Sequence, residues 1–190
     1  MPEQSNSRII EVVEYQPNWV DEFQGYANQL RQSLDSLIIG IEHVGSTSII
    51  GLAAKPIIDI DVVISSRVVL GRVLQRLATI GYKHVGNDGI PGREAFEWPG
   101  ERRHHLYVCA VNAHNLYNHL IFRDYLREHH EVADTYGQLK KRLAQQYRQD
   151  AESYCEAKTG FIRQIVEVAT AQYSDQTFQP QTSTKDQRTH

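Results

Sequence analysis

The chain has 190 residues, of which 41% are hydrophobic and 23% charged, as is typical of a globular protein with one domain. Its formal net charge of −3 argues against a general nucleic-acid-binding protein, because such proteins usually present a basic face. No apolar run approaches the ~18 residues that a membrane span needs. The two cysteines have neither the spacing of a zinc site nor the density of a disulfide scaffold, so we expect a cytoplasmic protein.

The first two thirds of the chain alternate between predicted helices and strands. Asn18 is a plausible N-cap of the first helix, whose apolar residues follow three- and four-residue steps. Gly81 stands where the C-terminal cap of a second helix belongs. The predicted strands span residues 38–44, 57–64, 82–85, 94–98 and 104–111, and the second helix spans residues 68–80.

From residue 116 to about residue 173 the pattern is helical, with three helices broken near 130–131 and near 149–150. Residues 174–190 are polar without an apolar period, and we predict a disordered tail there. We therefore expect a core at 8–112, a helical region of the same domain at 113–173, and the tail. Strands first and helices last, around a mixed sheet, predict an α+β fold.

Two aspartates interrupt a strand that is otherwise apolar. Asp59 and Asp61 lie on one face of that strand, because side chains alternate with a period of two. Burying an unpaired carboxylate is costly, so two solvated acids on an edge strand are a poorer interpretation of these apolar surroundings. A divalent cation would offset the cost, since Mg²⁺ binds one or two carboxylates together with substrate phosphates.

A glycine turn just upstream supplies the other half of such a site. Gly45 lets the backbone approach a phosphate, and the amides of the turn that continues through Ser46 and Thr47 can point at it. A Gly-Ser step alone is an ordinary turn, and its place before the aspartate strand favours phosphate contact. Lys55 lies four residues before Asp59, and it either pairs with the aspartates or binds substrate.

The order of these elements resembles the nucleotidyltransferase fold of the DNA polymerase beta superfamily, whose minimal signature is Gly-Ser followed by Asp-x-Asp. A closer resemblance is to the GrpB family of bacterial proteins, a branch of that superfamily, and it covers residues 9–171. It rests on Glu-His-Val-Gly-Ser-Thr-Ser at 42–48, Gly-Leu-Ala-Ala-Lys-Pro-Ile-Ile-Asp-Ile at 51–60, Phe-Arg-Asp-Tyr-Leu-Arg at 122–127, Leu139-Lys140, Leu143-Ala144, and Tyr154 with Lys158.

The resemblance implies a nucleotidyltransferase-like mixed β-sheet with flanking helices and a C-terminal helical subdomain. It also implies metal-dependent transfer of a nucleotidyl group from a nucleoside triphosphate to an unknown acceptor, with Mg²⁺ or Mn²⁺ on Asp59 and Asp61. For Arg123, with Arg127 one turn further and Asp124 beside it, a salt-bridge lattice is the stronger alternative. The residues expected at phosphate or nucleotide are Gly45, Ser46, Thr47, Lys55, Arg123, Lys140 and Lys158.

One departure from the superfamily concerns the third acid. Active members usually carry another carboxylate on a later strand, whereas the corresponding run here, His-His-Leu-Tyr-Val-Cys at 104–109, has none. His105 stands there and is expected to take a catalytic part, although an ordinary core or surface histidine is an equal alternative. Glu94 or Glu97 could supply the missing acid. Without it, we expect slow or absent turnover with Mg²⁺ and improvement with Mn²⁺.

The alternative function is a catalytically inactive module that binds a nucleotide or phosphate, or assists a partner. The sequence leaves the nucleotide, the acceptor and the oligomeric state open.

Overall fold

The computed structural model describes residues 9–100 and 104–173. The predicted tail at 174–190 and the first residue of the predicted core, residue 8, lie outside the described residues. The helices are α1 (Asn18–Leu34), α2 (Leu70–Thr79), α3 (His114–Glu128), α4 (His130–Gln146) and α5 (Ala151–Gln172), and the strands are β1 (Gly40–Val44), β2 (Ile58–Ile64), β3 (Lys83–Gly86), β4 (Arg93–Glu97) and β5 (His104–Ala110). Short 3₁₀ helices span Asp35–Leu37, Ser46–Ser48 and Arg67–Val69.

The five strands form one mixed sheet in the order β1-β2-β5-β4-β3. β2 and β5 are parallel, and the other neighbouring pairs are antiparallel. In the register of β2 and β5, Asp59 lies beside His105 and Asp61 beside Tyr107. The predicted α+β fold, with a mixed sheet, flanking helices and a helical part after the last strand, is confirmed.

One face of the sheet, which we call the core face, packs against α1 and α2. Alternate residues of β2 supply it, and their burial from water provides much of the stability of the fold. The residues of β2 on this face are Ile58, Ile60, Val62 and Ile64, and their buried partners include Trp19, Phe23, Leu30 and Leu34 of α1, Val73 and Leu77 of α2, and Leu106 and Val108 of β5.

The opposite face, which we call the site face, carries Asp59, Asp61 and Val63 of β2. Val63 packs there against Leu116 and Leu120 of α3. The three C-terminal helices pack on one another through their own buried cluster, and α3 packs on this face of the sheet against β1 and β5. Among the helices that the structure describes, none is long and apolar enough to cross a membrane.

The predicted boundaries are off by one or two residues, and one predicted cap is wrong. α1 has Pro17 as its N-cap, with φ −59, and Asn18 is already helical. The Asn18 side chain donates a hydrogen bond to Glu22 at 2.6 Å and caps no backbone amide. The fixed φ of proline suits the start of a helix and explains the shift. Gly81 has φ +98, which agrees with its predicted place after α2.

Candidate functional site

Each aspartate of β2 is held by one histidine. The ring N–H at Nδ1 of His105 donates to Asp59 Oδ1 at 2.8 Å, and that of His119 donates to Asp61 Oδ2 at 2.7 Å. The Asp59 side chain is 28% exposed, whereas that of Asp61 is 0% exposed. Asp59 therefore faces open space, and Asp61 lies deeper on the same face beneath α3.

The Gly-Ser turn lies directly against Asp59. Gly45 has φ +69, and a Cβ added there would collide with the Asp59 carboxylate, so only glycine permits this approach. The turn is fixed from within by Ser48, whose hydroxyl donates to the Gly45 carbonyl at 2.6 Å. It is also fixed from outside by the Arg127 guanidinium, which donates to the Ser48 carbonyl at 2.8 Å. The turn that was predicted to contact phosphate is thus held in place by hydrogen bonds within the chain.

Thr47 holds the turn rather than presenting its hydroxyl to a ligand. That hydroxyl donates to the Ile57 carbonyl at 3.3 Å and accepts from His43 Nε2 at 3.0 Å. Burial lowers the pKa of His43 to about 4, with the charges of Arg127 and Arg123 adding to the effect, so the ring is neutral at pH 7. The hydroxyl of Thr47 is thus occupied within the chain, and the predicted phosphate contact of this residue through the amides of the turn stays a prediction.

A cavity of about 80 Å³ beside Asp59 brings together three lysines from separate parts of the chain. We call it the lysine cavity. Lys55 precedes β2, Lys140 lies on α4 and Lys158 on α5. Its other lining residues are Ser46, Thr47, Ala54, Ile57, Asp59, His105 and Tyr154. No ion pair among the described side chains joins Lys55 to either aspartate, which favours the substrate-binding alternative for this residue.

Lys140 is the most unusual cation of the site. It is 2% exposed, and its Nζ has no hydrogen-bond partner among the described residues. Burial, together with the charge of Lys158, lowers the pKa of Lys140 to about 7 against the opposing charge of Asp59. Burial also lowers the pKa of Lys158, and the charge of Lys55 adds to this. Because three lysines share the lysine cavity with the single carboxylate of Asp59, and buried charge is costly, the cavity is suited to a bound anion.

The donor chemistry of the two aspartates suits a divalent cation. Asp61 Oδ1 is buried without a hydrogen-bond partner among the described residues, and carboxylate oxygens are the ligands that Mg²⁺ prefers. Within 9–100 and 104–173, no group of three or more His, Cys, Asp and Glu side chains could hold a metal ion. Tyr107, beside Asp61 in the sheet, is a neutral phenol, because burial and the charge of Asp59 raise its pKa to about 12.

Glu94 does not supply the missing acid, so that suggestion was wrong. It pairs in register with Val108 on the core-face side of β5, whereas Ala95 pairs with Tyr107 on the site-face side. Its carboxylate accepts from Arg67 at 2.5 Å and from His84 at 2.7 Å. Burial alone would raise the pKa of Glu94, but these two partners lower it overall.

Glu97 does not line the lysine cavity either. It is an exposed residue at the end of β4, paired in register with Lys83 of the edge strand. Since β5 separates β4 from β2, neither glutamate joins Asp59 and Asp61.

Arg123 stabilises the packing of α3 on β1. It is 4% exposed and donates to the Glu42 carboxylate at 2.7 Å, to the His43 carbonyl at 3.1 Å and to Asp124 at 2.7 Å. With its donors used in this way, Arg123 is not available to phosphate, so the assignment to nucleotide binding is corrected. The salt-bridge lattice, which was the stronger alternative from sequence, is what the structure contains, with Arg127 bonded to Asp124 at 3.4 Å.

Sequence reasoning missed His119 and Tyr136. His119 lies four residues before Arg123, on the same face of α3, and that spacing was the available signal. Tyr136 lies on α4, and its side chain is hydrogen-bonded to that of Ser46. Tyr136 lies outside the sequence motifs that indicated the Gly-Ser turn and the aspartate strand, so no sequence signal indicated its contact with Ser46.

A second, larger space opens from the same carboxylate. The apolar cleft, of about 1140 Å³, lies between α3 and α5 and reaches Gly45, Ser46, Asp59 and Lys158 at one end. Most of the surface that lines it is apolar, and Tyr117, Phe122, Tyr136, Ile162 and Val166 contribute to it, although polar side chains such as Asn115 and Asn118 also line the cleft. Asp59, Ser46 and Lys158 line both the cleft and the lysine cavity, so the two spaces meet at Asp59.

Comparison with known proteins identifies a family. The family model described as "GrpB protein" matches residues 9–168. The solved structure of the conserved protein GrpB from Enterococcus faecalis is 38% identical, with a TM-score of 0.79 over 86% of this chain and 99% of that one. The UPF0157 protein YqkA of Bacillus subtilis (strain 168) is 35% identical over 163 residues, or 85% of this chain. The chain spans 48% of the length of that relative.

A weaker likeness, with a TM-score of 0.43 and 16% identity, is found to a Cid1 poly(U) polymerase. It covers 68% of this chain and 45% of that one, and it carries no functional conclusion.

Proposed function

This chain belongs to the GrpB family, and we propose that it is a metal-dependent nucleotidyltransferase-like protein. It would move a nucleotidyl group from a nucleoside triphosphate to an acceptor. The observation that carries the proposal is the lysine cavity, which places three cations and the Gly-Ser turn against the first aspartate of β2. A triphosphate supplies the negative charge that this cavity lacks.

The lysines would bind the β- and γ-phosphates. Charge-assisted hydrogen bonds between ammonium and phosphate are roughly twice as strong as neutral ones, and they strengthen further in a small buried space. Lys140 gains most, because its Nζ has no partner among the described residues. The turn at Gly45 and Ser46 would bring backbone amides to the same phosphates.

The proposed reaction forms one bond and breaks one. An oxygen of the acceptor attacks the α-phosphorus, the bond from that phosphorus to the bridging oxygen of the β-phosphate breaks, and pyrophosphate leaves with the electron pair. The acceptor's proton passes to water. Asp59 and Asp61 would hold Mg²⁺ or Mn²⁺, which neutralises charge that develops on the phosphates when bound. His105 orients the Asp59 carboxylate through its 2.8 Å hydrogen bond.

The alternative is a catalytically inactive module that binds the same nucleotide. It is favoured by the pairing of each aspartate with a histidine and by the failure of Glu94 and Glu97 to join them. A cytoplasmic location is part of the proposal for both alternatives, in agreement with two cysteines that are free.

Binding is tested by thermal unfolding with ATP and with tripolyphosphate, each with and without Mg²⁺. A ligand at 100 times its dissociation constant adds about 2.7 kcal/mol of stability, which such a scan detects. We expect both ligands to stabilise the wild type and neither to stabilise Lys158→Met. Lys141→Met is the matched control, because Lys141 pairs on the surface with Glu14 and lies outside the lysine cavity. Equal stabilisation of all three proteins would contradict the proposed site.

Turnover separates the enzyme from the binding module. Release of pyrophosphate from ATP would be followed with Mg²⁺ and with Mn²⁺, for the wild type and for His105→Asp. Because His105 stands beside Asp59 in the sheet, an aspartate there would add a carboxylate ligand. We expect Mn²⁺ to exceed Mg²⁺ in the wild type and His105→Asp to release pyrophosphate faster. Because water is the only acceptor supplied in this assay, binding of ATP without pyrophosphate release in any combination would favour the module.

A further inference from the structure

The apolar cleft suggests what kind of acceptor the protein uses. We infer that the cleft is the acceptor site, and that the acceptor is an apolar small molecule with a hydrogen-bond donor, not a nucleic acid. The inference rests on the proposed function, and it concerns the second space that Asp59 lines.

Position is the first argument. The cleft and the lysine cavity share Ser46, Asp59 and Lys158, so a molecule in the cleft ends at the carboxylate beside which the triphosphate would lie. An acceptor must bring its nucleophilic oxygen to the α-phosphate, next to the same carboxylate. The cleft is therefore placed where an acceptor has to enter.

The walls indicate the chemistry of the occupant. Tyr117, Phe122 and Val166 offer apolar surface on α3 and α5, and apolar ligands gain most from such walls. Within this lining, the Oδ1 of Asn118 is buried and has no hydrogen-bond partner among the described residues. A buried acceptor atom without a partner is costly, so a ligand with an N–H or O–H group at this point is favoured.

Charge excludes a polynucleotide as the occupant. A nucleic-acid backbone requires a track of lysines and arginines along its phosphates. Among the described residues that line the cleft, the acids Asp59 and Glu167 equal the bases Lys158 and Arg163 in number, and His119, hydrogen-bonded to Asp61, is a further ionisable group. These residues form no basic track.

The test uses N-phenyl-1-naphthylamine, a neutral aromatic probe whose fluorescence rises in apolar surroundings. We expect saturable binding to the wild type, and about tenfold weaker binding to Val166→Asp and Thr170→Asp, because each puts a carboxylate into the cleft. Val168→Asp is the matched control, since Val168 lies on the same helix, is 44% exposed and does not line the cleft. Thr170 is exposed, so its variant tests the site even if Val166→Asp fails to fold.

Competition identifies the occupant. We expect neither tripolyphosphate nor ATP to displace the probe, and both to bind beside it. Displacement by ATP but not by tripolyphosphate would assign the cleft to the nucleoside and overturn the inference. Displacement by single-stranded RNA, absence of probe binding, or equal loss of binding in Val168→Asp would also overturn it. Probe binding with no binding of ATP or tripolyphosphate would keep an apolar ligand site and reject the proposed function.

Discussion

The two faces of β2 come from alternate residues of one seven-residue strand, yet they are packed by different chemistry. On the core face every residue is apolar and buried against α1 and α2. On the site face the same strand carries Asp59, which is partly exposed, and Asp61, which is buried beneath α3, with the buried Lys140 in the lysine cavity beside Asp59. The core face of β2 is thus wholly apolar, whereas the site face combines apolar packing at Val63 with two carboxylates that are paired with histidines.

The largest effect on stability is expected from a substitution that leaves a cavity in the core face. Ile60 is 0% exposed, and Ile60→Ala should lower the free energy of unfolding by about 2 to 5 kcal/mol, because the removed methyl groups leave a cavity. Tripolyphosphate binding by the folded fraction should not change. Urea unfolding measures the first effect and calorimetric titration the second. A loss of binding at unchanged stability would show that the faces are not separate.

On the site face we expect the opposite result, namely loss of binding with little change in stability. Asp59→Asn with Asp61→Asn should abolish Mg²⁺-dependent ATP binding and change the free energy of unfolding by less than about 1 kcal/mol, because removing the repulsion between carboxylates offsets the weakened histidine contacts. The asparagine oxygens can still accept from the two ring N–H groups. Glu97→Gln, an exposed acid of the same sheet, is the control. Failure of the double variant to fold would make the pair structural.

The buried Lys140 is expected to make the stability of the protein depend on pH. Its pKa in the folded chain is about 7, below its ordinary value, so its charge destabilises the protein fully below pH 7. This penalty declines as the pH rises toward the pKa of an unfolded lysine. Lys140→Met should therefore stabilise the protein at pH 6 and less at pH 9, in denaturant unfolding at both values. Stabilisation that grows with pH would contradict the lowered pKa.

The smallest effect is expected at Glu94, which lies on the core-face side of β4. Glu94→Gln should leave ATP binding unchanged and cost about 1 kcal/mol, because Arg67, its ion-pair partner, is 58% exposed and screened by solvent. The pKa of Glu94 is lowered in the folded chain, so its contribution to stability is present at neutral pH and lost in acid. Impaired ATP binding in this variant would return Glu94 to the list of site residues.

Sequence was sufficient where local pattern decides structure. The β-branched run with Asp59 and Asp61 predicted a buried strand with both acids on one face, and the structure has it as β2. The place of Gly45 before that strand predicted a turn next to the aspartates, and the structure has this turn against Asp59. The positive φ of Gly45 and its close approach to the Asp59 carboxylate explain why glycine is needed.

Sequence was insufficient where the outcome depends on pairing across the fold. Glu94 was misplaced because the face of a residue on β4 depends on its register with β5, which periodicity alone does not give. Arg123 finds its partner Glu42 81 residues away, and His119 finds Asp61 58 residues away. The N-cap of α1 is Pro17 and not Asn18. This error is local, because the known preference of proline for the start of a helix already favoured Pro17.

The central claim is that the site face binds a nucleoside triphosphate through the lysine cavity. Calorimetric titration with Mg²⁺ and ATP at pH 8, in two buffers of different ionisation enthalpy, tests it most directly. Because anion binding restores the proton of Lys140, the wild type should take up about one proton per ATP, and Lys140→Met should bind more weakly without that uptake. No binding by the wild type, or equal affinity and proton uptake in the two proteins, would contradict the claim.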